Sequence, residues 1–271
     1  MRRHYGCVPD LVGVDRGRKF KLAAPTLSAS QLPEESNDLS LIFKPRISQY
    51  SEGSCVAHGV TSALRYNLAN DDQPDIMLSR NQLYYDTRKR EGTTASDAGC
   101  QIHNAIAVAQ EIGICEEKLW PYDLTKWIIA PPDSVYPDAI KHRSLEPMSV
   151  DVDPLAIRTA LYVGKPVIVG ISVFPSFEDV SVTETGFVPM PGSAERVLSG
   201  HCMVIYRRTS TGYMGKPGFH AWNWWQEYDG DGNIIVPWGQ DGDCVLPETY
   251  FVPEYAADLW ALLRTEEQAT A

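Results

Sequence analysis

Apolar positions recur at helical spacing in the first half of the chain and gather into short continuous runs in the second. Val56, Val60, Ala63 and Leu64 follow a Gly53-Ser54 break and predict a helix over 55–70, closed by the turn-forming stretch 70–74. Ser79 is a candidate N-cap for a second helix through Arg88, and Ile102, Ile106 and Ala109 phase a third that stops near Gly113. Residues 124–147 read as a Pro-punctuated loop and 153–163 as a short helix. The apolar run 167–173 reads as a buried strand, and 201–206 and 218–225 as two more. A long connection spans 174–199, and Trp238–Phe251 precedes a tail read as helical and acidic.

Helices first and strands afterwards predict an α+β protein of two lobes meeting at a cleft. The expected division is an extended N-terminal arm over 1–45 and one domain over 46–271. That domain comprises a helical lobe of about 46–150, a β-rich lobe of about 151–255 and a tail over 256–271. No internal repeat or low-complexity segment interrupts it.

Composition narrows the function classes. A net charge of −11 disfavours nucleic acid, whose binding rests on Lys and Arg neutralising phosphates, and disfavours an anionic membrane surface. Met1-Arg-Arg is followed by no apolar stretch, so no signal peptide is expected, and no run of 18 apolar residues could span a bilayer. The six cysteines show no C-x-x-C spacing, so neither a zinc site nor any other metal or cofactor is expected. Reduced thiols are expected. The expected location is cytoplasmic, or associated with a virion or host cell. Asp229-Gly-Asp-Gly-Asn233 has the start of a calcium loop, but Ile234 takes the required Gly place, so a solvated turn is expected.

Cys55 opens the first helix, where unpaired N–H groups and the positive dipole end favour a thiolate. A thiolate nucleophile needs a base, and the base an orienting partner. His201 follows Cys55 by 146 positions, within the roughly 130–150 of one Cys-His peptidase arrangement. Asn223, among Trp222, Trp224 and Trp225, could accept from one imidazole N–H, and Gln49 could aim its amide at a developing oxyanion. Each has a bland reading as well: a small buried thiol, a structural histidine, an amide satisfying backbone, a turn residue. His58 shares the Cys55 helix and is expected to cap or pack locally; His4, His103, His142 and His220 have no partner pattern.

Gln49…Gly53-Ser54-Cys55, Gly200-His201 and Asn223-Trp-Trp-Gln226 together resemble the motifs of the papain-like (C1) cysteine peptidases, in particular bacterial and viral members lacking a long propeptide. Asp97-Ala-Gly99, Leu119-Trp-Pro-Tyr122 and Lys165-Pro-Val-Ile-Val169 extend the likeness over roughly 5–255. The resemblance implies a papain-like two-lobed fold and peptide-bond hydrolysis through an acyl-enzyme. In it Cys55 is nucleophile, His201 base and then acid, Asn223 orienter, and Gln49 oxyanion donor. Gly53, Gly99 and Trp225 lie at the substrate, Gly99 through its backbone and Trp225 as a cover for the His–Asn bond. The implied partner is a peptide or protein substrate. The sequence departs from the family at Glu52, Val56, Cys202, Trp224 and Gln226. Two other readings stand beside this one: a catalytically weak or inactive peptide-binding module of a larger assembly, and the same triad used as an amidase or transferase on a non-protein amide such as a peptidoglycan stem peptide.

Overall fold

The structure is a computed structural model, and it describes residues 5–8, 18–19, 27–40, 44–70, 75–144 and 146–263. Three helices make the first half: α1 (Cys55–Asn70), α2 (Arg80–Glu91) and α3 (Ile102–Glu111). The Ser79 side chain caps α2 by accepting from Gln82 N–H at 3.1 Å, and Gly92 closes it in the left-handed conformation that favours glycine. Gly113, also at positive φ, turns the chain after α3.

The second half is a seven-stranded sheet. In chain order its strands are β1 (Arg18–Lys19), β2 (Glu146–Val150), β3 (Val167–Val173), β4 (Ser199–Tyr213), β5 (Lys216–Trp222), β8 (Asp243–Pro247) and β9 (Ala256–Leu263). Their spatial order is β1-β2-β9-β3-β4-β5-β8, antiparallel except for the β1–β2 pair. A two-stranded ribbon, β6 (Glu227–Tyr228) and β7 (Ile234–Val236), stands apart. The small helices α4 (Tyr136–Ala139), α5 (Pro154–Tyr162) and α6 (Val180–Thr185) fill connections, α4 and the start of β2 within the stretch expected to be loop and α6 within the long connection. The architecture is α+β, and the fold is papain-like.

One element departs from expectation. Ala256–Leu263 was expected to be helical and is instead an interior strand between β2 and β3. Its Ala and Leu content favours helix, but pairing on both sides and burial on both faces outweigh a propensity worth only tenths of a kcal/mol per residue. A bulge at Asp258, at φ 55, shifts its register against β3 between Ile168 and Gly170. Residues 264–271 lie outside the described residues.

Helix α1 packs on the sheet beside β4, β9 and β3. Gly59 makes that approach close, because a Cβ there would meet the Cys202 sulfur at 2.8 Å. The thiol-bearing helix and the histidine-bearing strand therefore share a core that includes Val56, Val60, Ile168, Cys202 and Val204. Among the described residues no helix is long and apolar enough to cross a membrane, and no cluster of three or more His, Cys, Asp or Glu could hold a metal ion.

Candidate active site

The site forms where the start of α1 meets β4 and the turn after β5. His201 sits two residues into β4, paired with Ile171 of β3. Asn223 follows the last residue of β5, and its N–H donates to the Gly242 carbonyl at 3.1 Å. Asn223 Oδ1 lies 2.7 Å from His201 Nε2 and also accepts the Trp224 backbone N–H at 2.8 Å. That second donor fixes which end of the amide is oxygen. His201 Nε2 must then carry the proton, leaving Nδ1 as the acceptor nitrogen of the neutral ring. Trp225 stacks on the imidazole with centroids 4.4 Å apart, and both His201 and Asn223 are buried. Trp224 Nε1–H donates to the Cys202 carbonyl at 2.8 Å, so the Asn-Trp-Trp-Gln departure builds a tryptophan wall that ties Asn223 back to the histidine strand.

The Gln49 loop is stitched to the same wall. Gln49 N–H donates to the Trp224 carbonyl at 3.0 Å, and Gln49 Nε2 donates to the Glu52 carbonyl at 2.8 Å. His58 stands beneath: its Nε2 lies 3.1 Å from the Ser48 carbonyl and its Nδ1 3.3 Å from Ser54 Oγ, between Tyr122 and Trp224. Burial, helped by nearby Arg80, lowers its pKa to about 3, so it is a neutral brace of the loop. His103, His142 and His220 lie near Asp258, Asp138 and Thr209 respectively, each away from the thiol; His4 lies outside the described residues.

Glu52 is buried beside the Ser54 and Tyr122 hydroxyls, with the Asp97 carboxylate nearby. Desolvation, with Asp97 adding to it, pushes its carboxyl up to about 7. Asp97 takes the Gly53 N–H on both oxygens at 3.0 Å and accepts from Tyr84 Oη. Arg88, whose charge acts the other way on Glu52, spends its guanidinium on the carbonyls of Thr94, Ser96 and Trp127.

Cys55 is fully buried, and burial opposes the low thiol pKa expected of its place at the helix start. The backbone N–H groups of Cys202, Gly6, Val56 and Cys55 favour the thiolate, but desolvation outweighs them and raises the thiol to about 12. The cover is the chain's own N-terminal segment. Cys7 N–H donates to the Gly200 carbonyl at 3.4 Å, Cys100 N–H to the Gly6 carbonyl at 2.8 Å, and Val8 N–H to the Cys100 carbonyl at 3.0 Å. Residues 5–8 therefore cross between the Gly99–Cys100 edge and the start of β4, parallel to the first and antiparallel to the second. Tyr5 packs edge-on to Trp225, with centroids 6.0 Å apart, and its hydroxyl donates to Glu178. Gly6 nests so closely that a Cβ would meet the Gly53 carbonyl oxygen at 1.7 Å, and one on Gly99 would meet the Gly6 carbonyl oxygen at 2.3 Å.

Cys55, His201, Asn223, Gln49, Gly53 and Trp225 thus converge. Gly99 lies at the same edge, and its N–H donates to Tyr84 Oη at 3.1 Å. The residue offering both N–H and C=O to an extended chain is Cys100. Sequence reasoning missed Cys100; it allowed that the 1–45 arm shields the cleft but did not single out Tyr5–Val8 as the segment that crosses it. The available signal was Gly6 between two residues of high packing value in an otherwise Pro-broken arm.

A protein of Acanthamoeba polyphaga mimivirus described as an uncharacterized peptidase C1-like protein is 30% identical over 228 residues, 80% of this chain and 68% of its own. The chain belongs to the papain-like (C1) cysteine peptidases. The peptidase also superposes on xylellain, a cysteine protease from Xylella fastidiosa, with a TM-score of 0.81 and 26% identity over 98% of this chain and 99% of that one. Digestive procathepsin L 3 of Tenebrio molitor shares the fold at a TM-score of 0.66 and 19% identity, over 92% and 76% of the two chains. No family model matches the sequence. In this peptidase all six cysteines are buried free thiols, Glu52 standing three residues before Cys55. The Asp229–Asn233 turn is self-satisfied: Asp229 Oδ1 accepts the N–H of Asp231 at 3.0 Å and of Asn233 at 2.8 Å.

Proposed function

We propose that this peptidase hydrolyses peptide bonds through a Cys55 thioester, and that the described structure is its latent form. The observation that carries this reading is the His201–Asn223 hydrogen bond under Trp225. It holds the imidazole in the one tautomer that can take a proton from Cys55. In the reaction His201 Nδ1 receives the thiol proton as sulfur attacks the scissile carbonyl. Gln49 Nε2 and the Cys55 N–H receive the developing oxyanion. The protonated imidazole then gives its proton to the leaving amine, and water, deprotonated by the same nitrogen, releases the acid.

Latency follows from direction. A substrate must put a carbonyl carbon on the sulfur, but the segment at the cleft turns the Gly6 N–H toward Cys55. An N–H cannot be attacked, so the arm occupies the site without being cut. Lifting it removes the desolvation that holds the thiol at about 12, and the helix N-terminus then favours the thiolate.

The deciding experiment treats full-length chain, and chain lacking residues 1–8, with a thiol-directed covalent peptidase inhibitor near neutral pH, then scores cleavage of a mixed peptide library. Cys55 alone should be labelled, faster in the shortened chain, and peptides should be cut by it but not by its Cys55→Ala variant. The occupied cleft and raised thiol also suit a peptide-binding module; peptide retention without labelling or cleavage in either form would replace the first reading with that one. Release of stem peptide from cell-wall fragments, with no cut peptides, would instead assign a non-protein amide.

A further inference from the structure

The arm carries a thiol into the cleft along with its backbone. Cys7 is buried and lies opposite Cys100 across a parallel bridge, closed on one side by Cys100 N–H to the Gly6 carbonyl and on the other by Val8 N–H to the Cys100 carbonyl. Residues facing each other across such a bridge stand about 4.8 Å apart, with side chains leaving on the same side. That spacing falls inside the ~4.4–6.8 Å between Cα atoms that a disulfide spans. Both thiols are free here, and the hydrolysis proposed above uses only the backbone of Cys100 and nothing of Cys7. The Cys7 sulfur is held in a defined place, 3.4 Å from where a Gly170 Cβ would stand, so its position is set by packing.

We propose that Cys7 and Cys100 form an oxidation site, at which a hydroperoxide creates a disulfide that fastens the arm across the cleft and a dithiol reductant releases it. Burial raises both thiols well above their ordinary value, so the seated pair resists oxidation and the first step falls on an arm lifted into water. There the Cys7 thiolate attacks the peroxide O–O bond, giving a sulfenic acid and expelling hydroxide or alkoxide, which takes up a proton. When the arm reseats, the Cys100 sulfur attacks the sulfenic sulfur. The S–S bond forms, the S–O bond breaks, and the oxygen leaves as water with the Cys100 proton. Two thiols have lost two electrons to one peroxide. The Cys55 thiol acts on Cys7 as well, ahead of Cys100, and Cys100 is the assigned partner because it is the residue whose backbone is bridged directly to Cys7.

This inference rests on the arm's seat in the cleft and on the proposed role of Cys55 for its effect on activity; the cross-link itself does not depend on catalysis. The test treats full-length chain, reduced and desalted, with a small excess of hydrogen peroxide. Free thiols are then alkylated, and the digest is mapped by mass spectrometry without reductant. The expected product is the Cys7 peptide joined to the Cys100 peptide, lighter by two hydrogens and split by dithiothreitol. Inhibitor labelling of Cys55 should be lost with cross-linking and regained on reduction, and Cys7→Ser chain, with an unchanged thermal transition, should form no link at Cys100. A Cys7 that remains alkylatable, or one joined to Cys55, would overturn the assignment. A cross-link formed by a chain whose Cys55 never labels, even when reduced, would keep the latch and remove the triad.

Discussion

At the scale of single residues, the loop before Cys55 carries a buried carboxyl group that has no ion-pair partner among the described residues. Glu52 titrates near 7 in the fold against an ordinary 4.5, so the folded state binds more protons than the unfolded state between those values. Stability therefore falls as pH rises through that window, by ~3 kcal/mol in all if the whole shift is expressed. Replacing Glu52 by Gln keeps the shape and removes the ionisation. Urea denaturation should show Glu52→Gln gaining on the parent steadily from about pH 4.5 to about pH 7 and keeping a constant advantage above it; parallel curves would show that Glu52 ionises freely. Gln49 is a second residue-scale case. Its amide is held in place by the Glu52 carbonyl at 2.8 Å. Gln49→Ala should lower kcat by roughly 10²–10³ with little change in KM, as loss of one preorganised oxyanion donor does.

At the scale of elements, the arm is an extended segment that fits only because Gly6 has no side chain. An added methyl would strike the Gly53 carbonyl, a backbone atom that cannot move aside cheaply. Overpacking of this kind costs ~1–3 kcal/mol, and the arm can escape it by leaving the cleft while the body stays folded. Gly6→Ala should therefore raise inhibitor labelling of Cys55 by roughly tenfold, at an unchanged main thermal transition; unchanged labelling would place the restraint elsewhere.

The same contrast marks what the sequence made legible. Helix α1, Cys55, His201 and Asn223 were readable because periodicity, a Gly-Ser break and residue types at compatible separations are local or pairwise signals. The seat of Tyr5–Val8 was not, because it depends on backbone hydrogen bonds to Cys100 and Gly200, which side-chain identity does not encode. The strand Ala256–Leu263 was missed for a related reason. Its residues favour a helix in isolation, and only the pairing with β2 and β3 makes it extended. The raised thiol of Cys55 likewise belongs to tertiary cover, whereas the helix N-terminus that was legible pushes the other way.

At the scale of the whole molecule, the segment bearing Gln49 must be held against the strand ends that present Asn223. Beside the Gln49 N–H bond to the Trp224 carbonyl, a buried ion pair strengthens that join. Arg46 donates to Asp243 through both terminal nitrogens, at 2.8 and 2.5 Å, and lies over the Trp222 ring at 5.3 Å, while Tyr206 Oη donates to the same carboxylate at 2.8 Å. Asp243 pairs with Trp222, the residue before Asn223. Even so, desolvation outweighs Arg46 and Tyr206 and leaves Asp243 raised to about 6. The pair's net worth is therefore modest, but breaking it is not, because removing Arg46 strands a buried carboxylate. Arg46→Met should cost ~3–5 kcal/mol near pH 8 and less near pH 5, where protonation of Asp243 relieves the unpaired charge. Adding Asp243→Asn should recover most of the loss at the higher pH while leaving the Tyr206 hydroxyl a partner. If Arg46→Met instead lost the same stability at both pH values and the second change restored nothing, the join would rest on Arg46 packing over Trp222. Asp243 would then contribute no pH dependence to the stability of the molecule.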